Sequence, residues 1–234
     1  MSRVKAELLK IAIYFALMAV VIVPSAFVIN NNLEMSKEII LKDNTLRQYN
    51  VLIETIKEGY NGPSFGLGSG VVISENGTII TAGHVLRDAQ RVRVTLHDGR
   101  VFDVNDFYVD EEVDIGILSI PAETKIYTSL CDSNDLVSGC TIVGVGNPGG
   151  IRVDIIINGK IENGKFRRLF FKKDVDFILS KMPVEPGFSG GGVYVDGKLV
   201  GIMILKVNDF AVSVSSNVCL DVVKKWTELN AFQK

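Results

Sequence analysis

Residues 184–192, which read VEPGFSGGG, place one hydroxyl among four glycines between two apolar, strand-like segments. Glycine suits a backbone that takes unusual dihedral angles or comes very close to a bound group. Ser189 is therefore a candidate nucleophile, and the N–H groups of Gly187 and Ser189 are candidate donors to the oxyanion formed when a serine attacks a carbonyl. Glycine-rich turns with a serine are also common as ordinary loops, so this chemistry requires a base and an acid elsewhere in the chain.

The chain contains two histidines, His84 and His97, so there are few candidates for the base. His84 lies in TAGHVL, residues 81–86, where a predicted strand passes into a short turn and the ring can project into a cleft. A half-buried histidine with a structural partner is the alternative there. His97 opens a His-Asp-Gly turn, which predicts a solvated surface side chain.

Asp114 is the candidate acid, because it begins the run DIGILSI, residues 114–120, which is otherwise apolar enough to be buried. A buried carboxylate needs a partner, and an imidazole N–H supplies one. In return the carboxylate fixes the histidine tautomer and stabilises the imidazolium. The neighbouring acids Asp110, Glu111 and Glu112 fall in a charged turn, and we expect them to be solvated.

Composition indicates a folded body of 234 residues with 22% charged residues and a net charge of −2, which does not suit a nucleic-acid binder. The cysteines, Cys131, Cys140 and Cys219, are too few and too scattered for a disulfide scaffold or a zinc site. A bridge between Cys131 and Cys140 and three free thiols both remain open. We expect no metal and no cofactor.

Residues 11–29 carry no charge and are long enough to cross a bilayer core of roughly 30 Å as a helix. Three cations and one acid precede them, so the positive-inside bias places residues 1–10 in the cytoplasm and the chain after residue 30 outside. We expect an uncleaved, single-pass signal anchor, with a cleaved signal peptide as the alternative. Residues 30–50 are predicted to be a linker or stalk.

From residue 51 the chain reads as short strands separated by turns, which predicts an all-β fold of barrels or sandwiches. The sequence Asn76-Gly77 between two apolar runs is a strong hairpin signal. A C-terminal helix is predicted over residues 217–229, after good N-cap residues. The predicted strands are 51–56, 68–74, 78–82, 91–96, 101–109, 113–120, 136–145, 152–162, 167–172, 176–181, 192–195, 199–207 and 210–215.

Five short motifs, taken in order, resemble those of trypsin-like (chymotrypsin-fold) serine proteases, and most of all the bacterial HtrA/Deg-type proteases. The resemblance covers about residues 51–229, and the order and spacing of the motifs make it specific. The motifs are GSGVVI at 68–73, TAGHVL at 81–86, DIGIL at 114–118, VGNPGG at 145–150 and EPGFSGG at 185–191.

The resemblance implies a protease domain over residues 51–234, with two six-stranded antiparallel β-barrels at about 51–121 and 122–216 and the C-terminal helix after them. His84 and Asp114 would come from the first barrel and Ser189 from the second. The implied activity is that of a membrane-anchored serine endopeptidase on the extracytoplasmic side, acting on polypeptides. The resemblance also allows a homo-oligomer.

The chain departs from the family pattern at Phe188, where Deg-type proteases usually have Asn and the digestive enzymes Asp. If Phe188 packs between the barrels, the N–H of Gly187 can face the oxyanion; if it blocks that peptide, the triad is idle. We also expect this chain to lack the PDZ domain of many relatives. The rival functions are an inactive protease-fold peptide-binding or sensor protein and an enzyme that is latent until a partner or oligomerisation orders its loops.

Met182 and Pro183 lie six to seven residues before Ser189, where proteases that cut after Lys or Arg place an acid. An apolar specificity pocket is therefore expected. By family position its wall includes Ile204, Leu205 and Lys206, whose backbone would also pair with an extended substrate. We predict cleavage after small or medium aliphatic residues.

Overall fold

The structure is a computed structural model that describes residues 41–59, 62–150, 153–170 and 173–231. Residues 41–49 form helix α1, and the chain from Thr45 onward is one compact unit. The predicted membrane anchor at 11–29 lies outside the described residues. Within the described ranges, no helix combines the length and the apolar character that crossing a bilayer requires.

The first half of the chain folds into an antiparallel sheet of seven strands, here called the first barrel. Its strand order is β5-β4-β1-β2-β3-β7-β6, so β5 and β6 form its two ends. The expectation of six strands is wrong here, because the predicted strand 101–109 is broken at Asn105 and Asp106, both poor strand formers. The strands are β1 (Asn50–Gly59), β2 (Gly62–Val72), β3 (Thr78–Ala82), β4 (Ala89–Leu96), β5 (Val101–Val104), β6 (Phe107–Asp110) and β7 (Ile115–Ser119).

The second half forms a closed barrel of six antiparallel strands, the second barrel, in the order β10-β13-β12-β11-β8-β9. The predicted strands 152–162 and 167–172 are one long strand, β9, which pairs with β8 at one end and β10 at the other. The predicted strand at 136–145 begins later, at Thr141. The strands are β8 (Thr141–Gly146), β9 (Ile155–Phe170), β10 (Lys173–Lys181), β11 (Gly192–Val195), β12 (Lys198–Val207) and β13 (Phe210–Ser215).

Two further α-helices and one short 3-10 turn complete the described chain: α2 (Gly83–Leu86), a single turn, the 3-10 turn (Pro148–Gly150), and α3 (Ser216–Ala231), slightly longer than predicted. Helix α3 packs against the first barrel, where the rings of Trp226 and Tyr108 lie 6.4 Å apart. Lys225 donates to the buried carboxylate of Asp110 over 2.6 Å. Asp110 was expected to be solvated, and that expectation is wrong because α3 covers it.

Candidate active site

His84 is carried by the single turn α2, which directly follows strand β3. The N–H of Gly83 donates to the carbonyl of Asp114 over 2.8 Å, and the N–H of His84 donates to Asp114 Oδ1 over 2.7 Å. A Cβ atom at Gly83 would lie 3.0 Å from Asp114, so a glycine lets the two segments approach. Backbone bonds therefore fix the turn on Asp114, independently of the imidazole.

Asp114 precedes β7 with a φ of 57°, a left-handed conformation that is uncommon outside glycine and is often found at functional sites. Its carboxylate is buried, and Oδ2 accepts from Nδ1 of His84 over 2.8 Å. Since the carboxylate accepts at Nδ1, a neutral imidazole carries its proton there and keeps Nε2 as an acceptor. Arg87 lies 3.4 Å from Oδ1 and adds a cation beside the carboxylate.

The side chain of Lys57 on β1 is hydrogen-bonded to the backbone of the turn that carries His84. Its ammonium donates to the carbonyl of His84 over 2.7 Å. Partial burial lowers the pKa of Lys57, and the nearby Asp88 acts in the opposite direction. A charged donor on this carbonyl strengthens the hold of the first barrel on the turn.

The loop around Ser189 requires glycine at defined positions. Gly187 and Gly190 have φ values of 102° and 86°, in the left-handed range that glycine tolerates. A Cβ atom at Gly190 would lie 2.1 Å from both the carbonyl oxygen of Ser69 and Oγ1 of Thr81. The N–H of Ser69 donates to the carbonyl of Ser189 over 2.7 Å, so strand β2 of the first barrel holds this loop of the second.

Among the described residues, the N–H groups of Gly187 and Ser189 have no hydrogen-bond partner in the protein. In each case the carbonyl of the same peptide unit is held by another amide. The pairs are Pro186 O with Gly149 N–H at 2.9 Å and Phe188 O with Gly191 N–H at 2.8 Å. Because C=O and N–H point in opposite directions across a trans peptide, these bonds direct both N–H groups away from the amides that hold the loop.

Phe188 does not block this loop. The side chain is 2% exposed and belongs to the apolar core of the second barrel, with Ile142, Val193 and Met203. A Cβ atom at Gly146 would lie 2.6 Å from its ring, so a glycine in β8 makes room for it. The ring therefore takes neither of the two expected positions, between the barrels or across the Gly187 peptide, but packs inside the second barrel.

A cleft of about 510 Å³ brings the predicted residues together. Val184, Phe188 and Met203 give it apolar walls. Among the hydrogen bonds of the described chain, none joins Ser189 Oγ to His84, although both residues line this cleft. All predicted site residues except Gly187 line it: His84, Asp114, Ser189, Ile204, Leu205 and Lys206.

The family model described as "Trypsin-like peptidase domain" matches residues 68–202, more than half of the 234-residue chain. The chain belongs to the trypsin-like peptidase family. The matched range contains all three candidate catalytic residues, His84, Asp114 and Ser189.

Curated members of this family include two that resemble the chain over about 60% of its length. It is 33% identical over 146 residues to a probable periplasmic serine endoprotease DegP-like from Halomonas elongata, covering 62% of this chain and 30% of the relative. It is 34% identical over 145 residues to the serine protease HTRA1 from Xenopus tropicalis, covering 60% and 31%. The chain thus spans about a third of the length of these relatives.

Solved structures of trypsin-like peptidases share the double-barrel fold. The HtrA-type protease AlgW with a tripeptide superposes with a TM-score of 0.69 at 24% identity, covering 78% of this chain and 62% of that one. The active form of a protease from M. tuberculosis gives a TM-score of 0.66 at 20% identity, covering 74% and 78%. At these identities the likeness establishes the chymotrypsin-like fold.

Several polar residues of this peptidase domain were missed by sequence reasoning. His97 is not simply solvated, because its Nδ1 lies 2.7 Å from Oδ2 of the buried Asp154. Ser69 and Asn147 are fully buried and hydrogen-bonded to each other. A signal for Asp154 was present, since it is an acid just before the apolar run 155–157, as Asp114 is before its own strand.

The cysteines of the described chain, Cys131, Cys140 and Cys219, are free thiols, so no bridge joins Cys131 to Cys140. Burial raises the pKa of Cys219, which keeps this thiol protonated and unreactive. Over the described ranges, no group of three His, Cys, Asp or Glu side chains has the arrangement of a metal site.

Proposed function

We propose that the chain is a serine endopeptidase of the HtrA/Deg type that cleaves polypeptides through an acyl-enzyme. Family membership supports this activity. One observation assigns this activity to particular residues: His84 and Asp114 are hydrogen-bonded to each other and lie in one cleft with Ser189.

In the proposed reaction, Ser189 Oγ attacks the peptide carbonyl while Nε2 of His84 removes its proton. Asp114 keeps the imidazole in the required tautomer and stabilises the imidazolium. The same proton then passes to the leaving amine, and water repeats the sequence on the acyl-enzyme. The protein supplies every group in this sequence, so no cofactor is needed.

The N–H groups of Gly187 and Ser189 are the proposed donors to the oxyanion. Neither N–H group has a hydrogen-bond partner within the described residues, which supports this role because the oxyanion hole must be open when the substrate arrives. Loss of one such donor typically costs about 3 kcal/mol of transition-state stabilisation.

The test is cleavage of an unfolded protein substrate by the purified chain and by Ser189→Ala. We expect the variant to lose about 10⁴-fold or more in kcat. Ser129→Ala, at an exposed serine outside the cleft, is the control and should keep full activity. Unchanged cleavage by Ser189→Ala would overturn the proposal.

For specificity, we propose cleavage after small or medium aliphatic residues. The apolar cleft walls support this choice. Leu205 and Lys206 pair with β13 at one edge of β12, and no described strand pairs with the other edge beyond Ile202, so an extended peptide can add there. A peptide-library profile dominated by Arg or Lys would contradict this specificity.

The missing hydrogen bond between Ser189 and His84 favours a second candidate, a latent enzyme or a peptide-binding protein. Catalytic hydrogen bonds often tighten only when substrate is bound, so the geometry also suits the first proposal. A fluorophosphonate probe distinguishes an active enzyme, a latent enzyme and a peptide-binding protein. Immediate labelling of Ser189 indicates a formed site, labelling only with added peptide or partner indicates a latent enzyme, and no labelling indicates a binding protein.

We also propose that residues 11–29 anchor the chain, with residues 30–50 as a stalk and the protease domain outside the cytoplasmic membrane. The uncharged run and the preceding cations support this topology. The test is alkaline extraction of membranes that contain the full chain, followed by protease digestion of intact spheroplasts. Release of the chain by alkali, or protection of the domain from digestion, would contradict the topology.

A further inference from the structure

Ser69 lies fully buried between the two barrels, and its hydroxyl joins them. Ser69 Oγ accepts from the N–H of Asn147 over 2.8 Å. Its own proton is then free to be donated to the carbonyl of Gly187, 2.7 Å away. This hydroxyl thus connects the turn after β8 to the loop that carries Ser189.

Both polar atoms of the Asn147 side chain form hydrogen bonds. Its Oδ1 accepts from the N–H groups of Val153 and Asp154 over 3.0 and 3.1 Å. Its Nδ2 donates to the carbonyl of Val51 on β1 over 3.2 Å. A buried amide with three such bonds is held in one orientation.

Asp154 anchors the far end of this chain of hydrogen bonds in the first barrel. Its carboxylate accepts from Asn50 Nδ2 over 2.8 Å and lies 2.7 Å from Nδ1 of His97. Its carbonyl accepts from the guanidinium of Arg47. The polar bridge, defined as Asp154, Asn147 and Ser69, therefore runs between the barrels and ends on the backbone of the Ser189 loop.

Gly187 is the residue on which this bridge acts. A glycine with a φ of 102° has many other conformations available, so bonds from outside must fix its peptides. The carbonyl before it is held by Gly149, and its own carbonyl is held by Ser69. Phe188, the next residue, has no polar side-chain atom with which to do so.

Building on the proposed function, we propose that the polar bridge, through the Ser69 hydroxyl, positions the N–H of Gly187 for the oxyanion. Ser69 is a positioning residue, because it acts through the Gly187 carbonyl and does not touch the substrate.

The test compares Ser69→Ala with Ser180→Ala, a matched control at another fully buried serine whose hydroxyl has no partner in the described chain. We expect Ser69→Ala to lower kcat by about ten-fold or more with KM changed by less than about two-fold. A peptide boronate, whose tetrahedral adduct places an oxygen in the oxyanion hole, should lose affinity by a similar factor. Ser180→Ala should match the wild type in all three quantities.

Equal kcat and boronate affinity in Ser69→Ala and the wild type would overturn the inference and leave the proposed function intact. A loss of thermal stability without these changes would also overturn it, since it indicates a purely structural role. If Ser69→Ala does not fold, Ser69→Cys, with a weak donor of similar size, is measured in the same way. A wild type without Ser189-dependent cleavage would instead overturn the proposed function.

Discussion

The pair of His84 and Asp114 and the pair of His97 and Asp154 have nearly the same local geometry. Nδ1 and Oδ2 are 2.8 Å apart in the first and 2.7 Å in the second, and the histidine side chains are 39% and 38% exposed. Both aspartates are buried, with φ values of 57° and 46°, and both precede an apolar strand. An imidazole held by a buried carboxylate is thus present twice.

The two pairs differ in what the imidazole faces. His84 lines the cleft that contains Ser189, beside a loop with two N–H groups that no described residue accepts. His97 borders another cavity, of about 440 Å³, in which the hydroxyl of Thr124 is donated to the carbonyl of Ser74. The carboxylate contacts the ring in both places, but among the described residues the Ser189 hydroxyl and the proposed oxyanion donors accompany only the first pair, which is why we propose the catalytic role for that pair.

The largest predicted difference is between His84→Ala and His97→Ala. Without its general base, His84→Ala should lose about 10⁴-fold or more in kcat. His97→Ala should keep kcat roughly unchanged and lower the free energy of unfolding by about 1–2 kcal/mol, because Asp154 loses one buried partner. Peptide cleavage and urea denaturation measure the two effects, and equal loss of kcat in both variants would break the distinction.

The aspartates separate the two roles further. Asp114→Asn should keep the fold and lose about 10⁴-fold in kcat, because the amide favours the wrong tautomer of His84. Asp154→Asn should cost about 2 kcal/mol of unfolding free energy, since a buried charged acceptor is replaced by a neutral amide. Its kcat should fall far less, because the bond to Asn147 comes from the Asp154 backbone. A larger kcat loss in Asp154→Asn than in Asp114→Asn would contradict this assignment.

Local patterns were sufficient to select three residues that the structure brings into one cleft, His84, Asp114 and Ser189. Asp114 could be chosen because an acid at the start of an apolar strand needs a partner, and Ser189 because its glycines permit a close approach. The same reasoning did not find the partner of His97, which lies 57 residues away in the other barrel. Its environment is created by the packing of the two barrels, and no local pattern records that packing.

Strand breaks and buried charges were also beyond local reasoning. Residues 101–109 were predicted to be one strand, and the poor strand formers within them did not show where the two pieces go: β5 pairs with β4, while β6 pairs with β7 at the opposite end of the sheet. Asp110 was predicted to lie in a solvated turn, and its cover comes from α3, 115 residues further on. Long-range contacts thus decide which strands pair and which charges are buried.

The pH dependence of cleavage gives a third test of the two pairs. A general base must be unprotonated to accept the serine proton. We therefore expect kcat/KM to fall towards acid pH, both in the wild type and in His97→Ala. A profile that is flat from about pH 5 to 8, or an acid limb that disappears in His97→Ala, would contradict the assignment of His84 as the base.

The smallest predicted effect concerns a third buried carboxylate, Asp110, whose cationic partner is Lys225 on α3. The hydrogen bond that Lys225 donates to Asp110 raises the pKa of Lys225 above its ordinary value of 10.5. The pair therefore stabilises the fold below that pH, and the contribution is lost as the pH rises through the raised value. Lys225→Met should cost about 1 kcal/mol of unfolding free energy at neutral pH, a modest value because the lysine side chain is 45% exposed. The difference in unfolding free energy between the variant and the wild type should stay level from roughly pH 7 to 9 and shrink only above about pH 10.5.

Lys224→Met is the control, since Lys224 is more exposed and pairs with Asp221 on the same helix. An equal cost in both variants would show that the burial of Asp110 does not make its ion pair more stabilising than an exposed one.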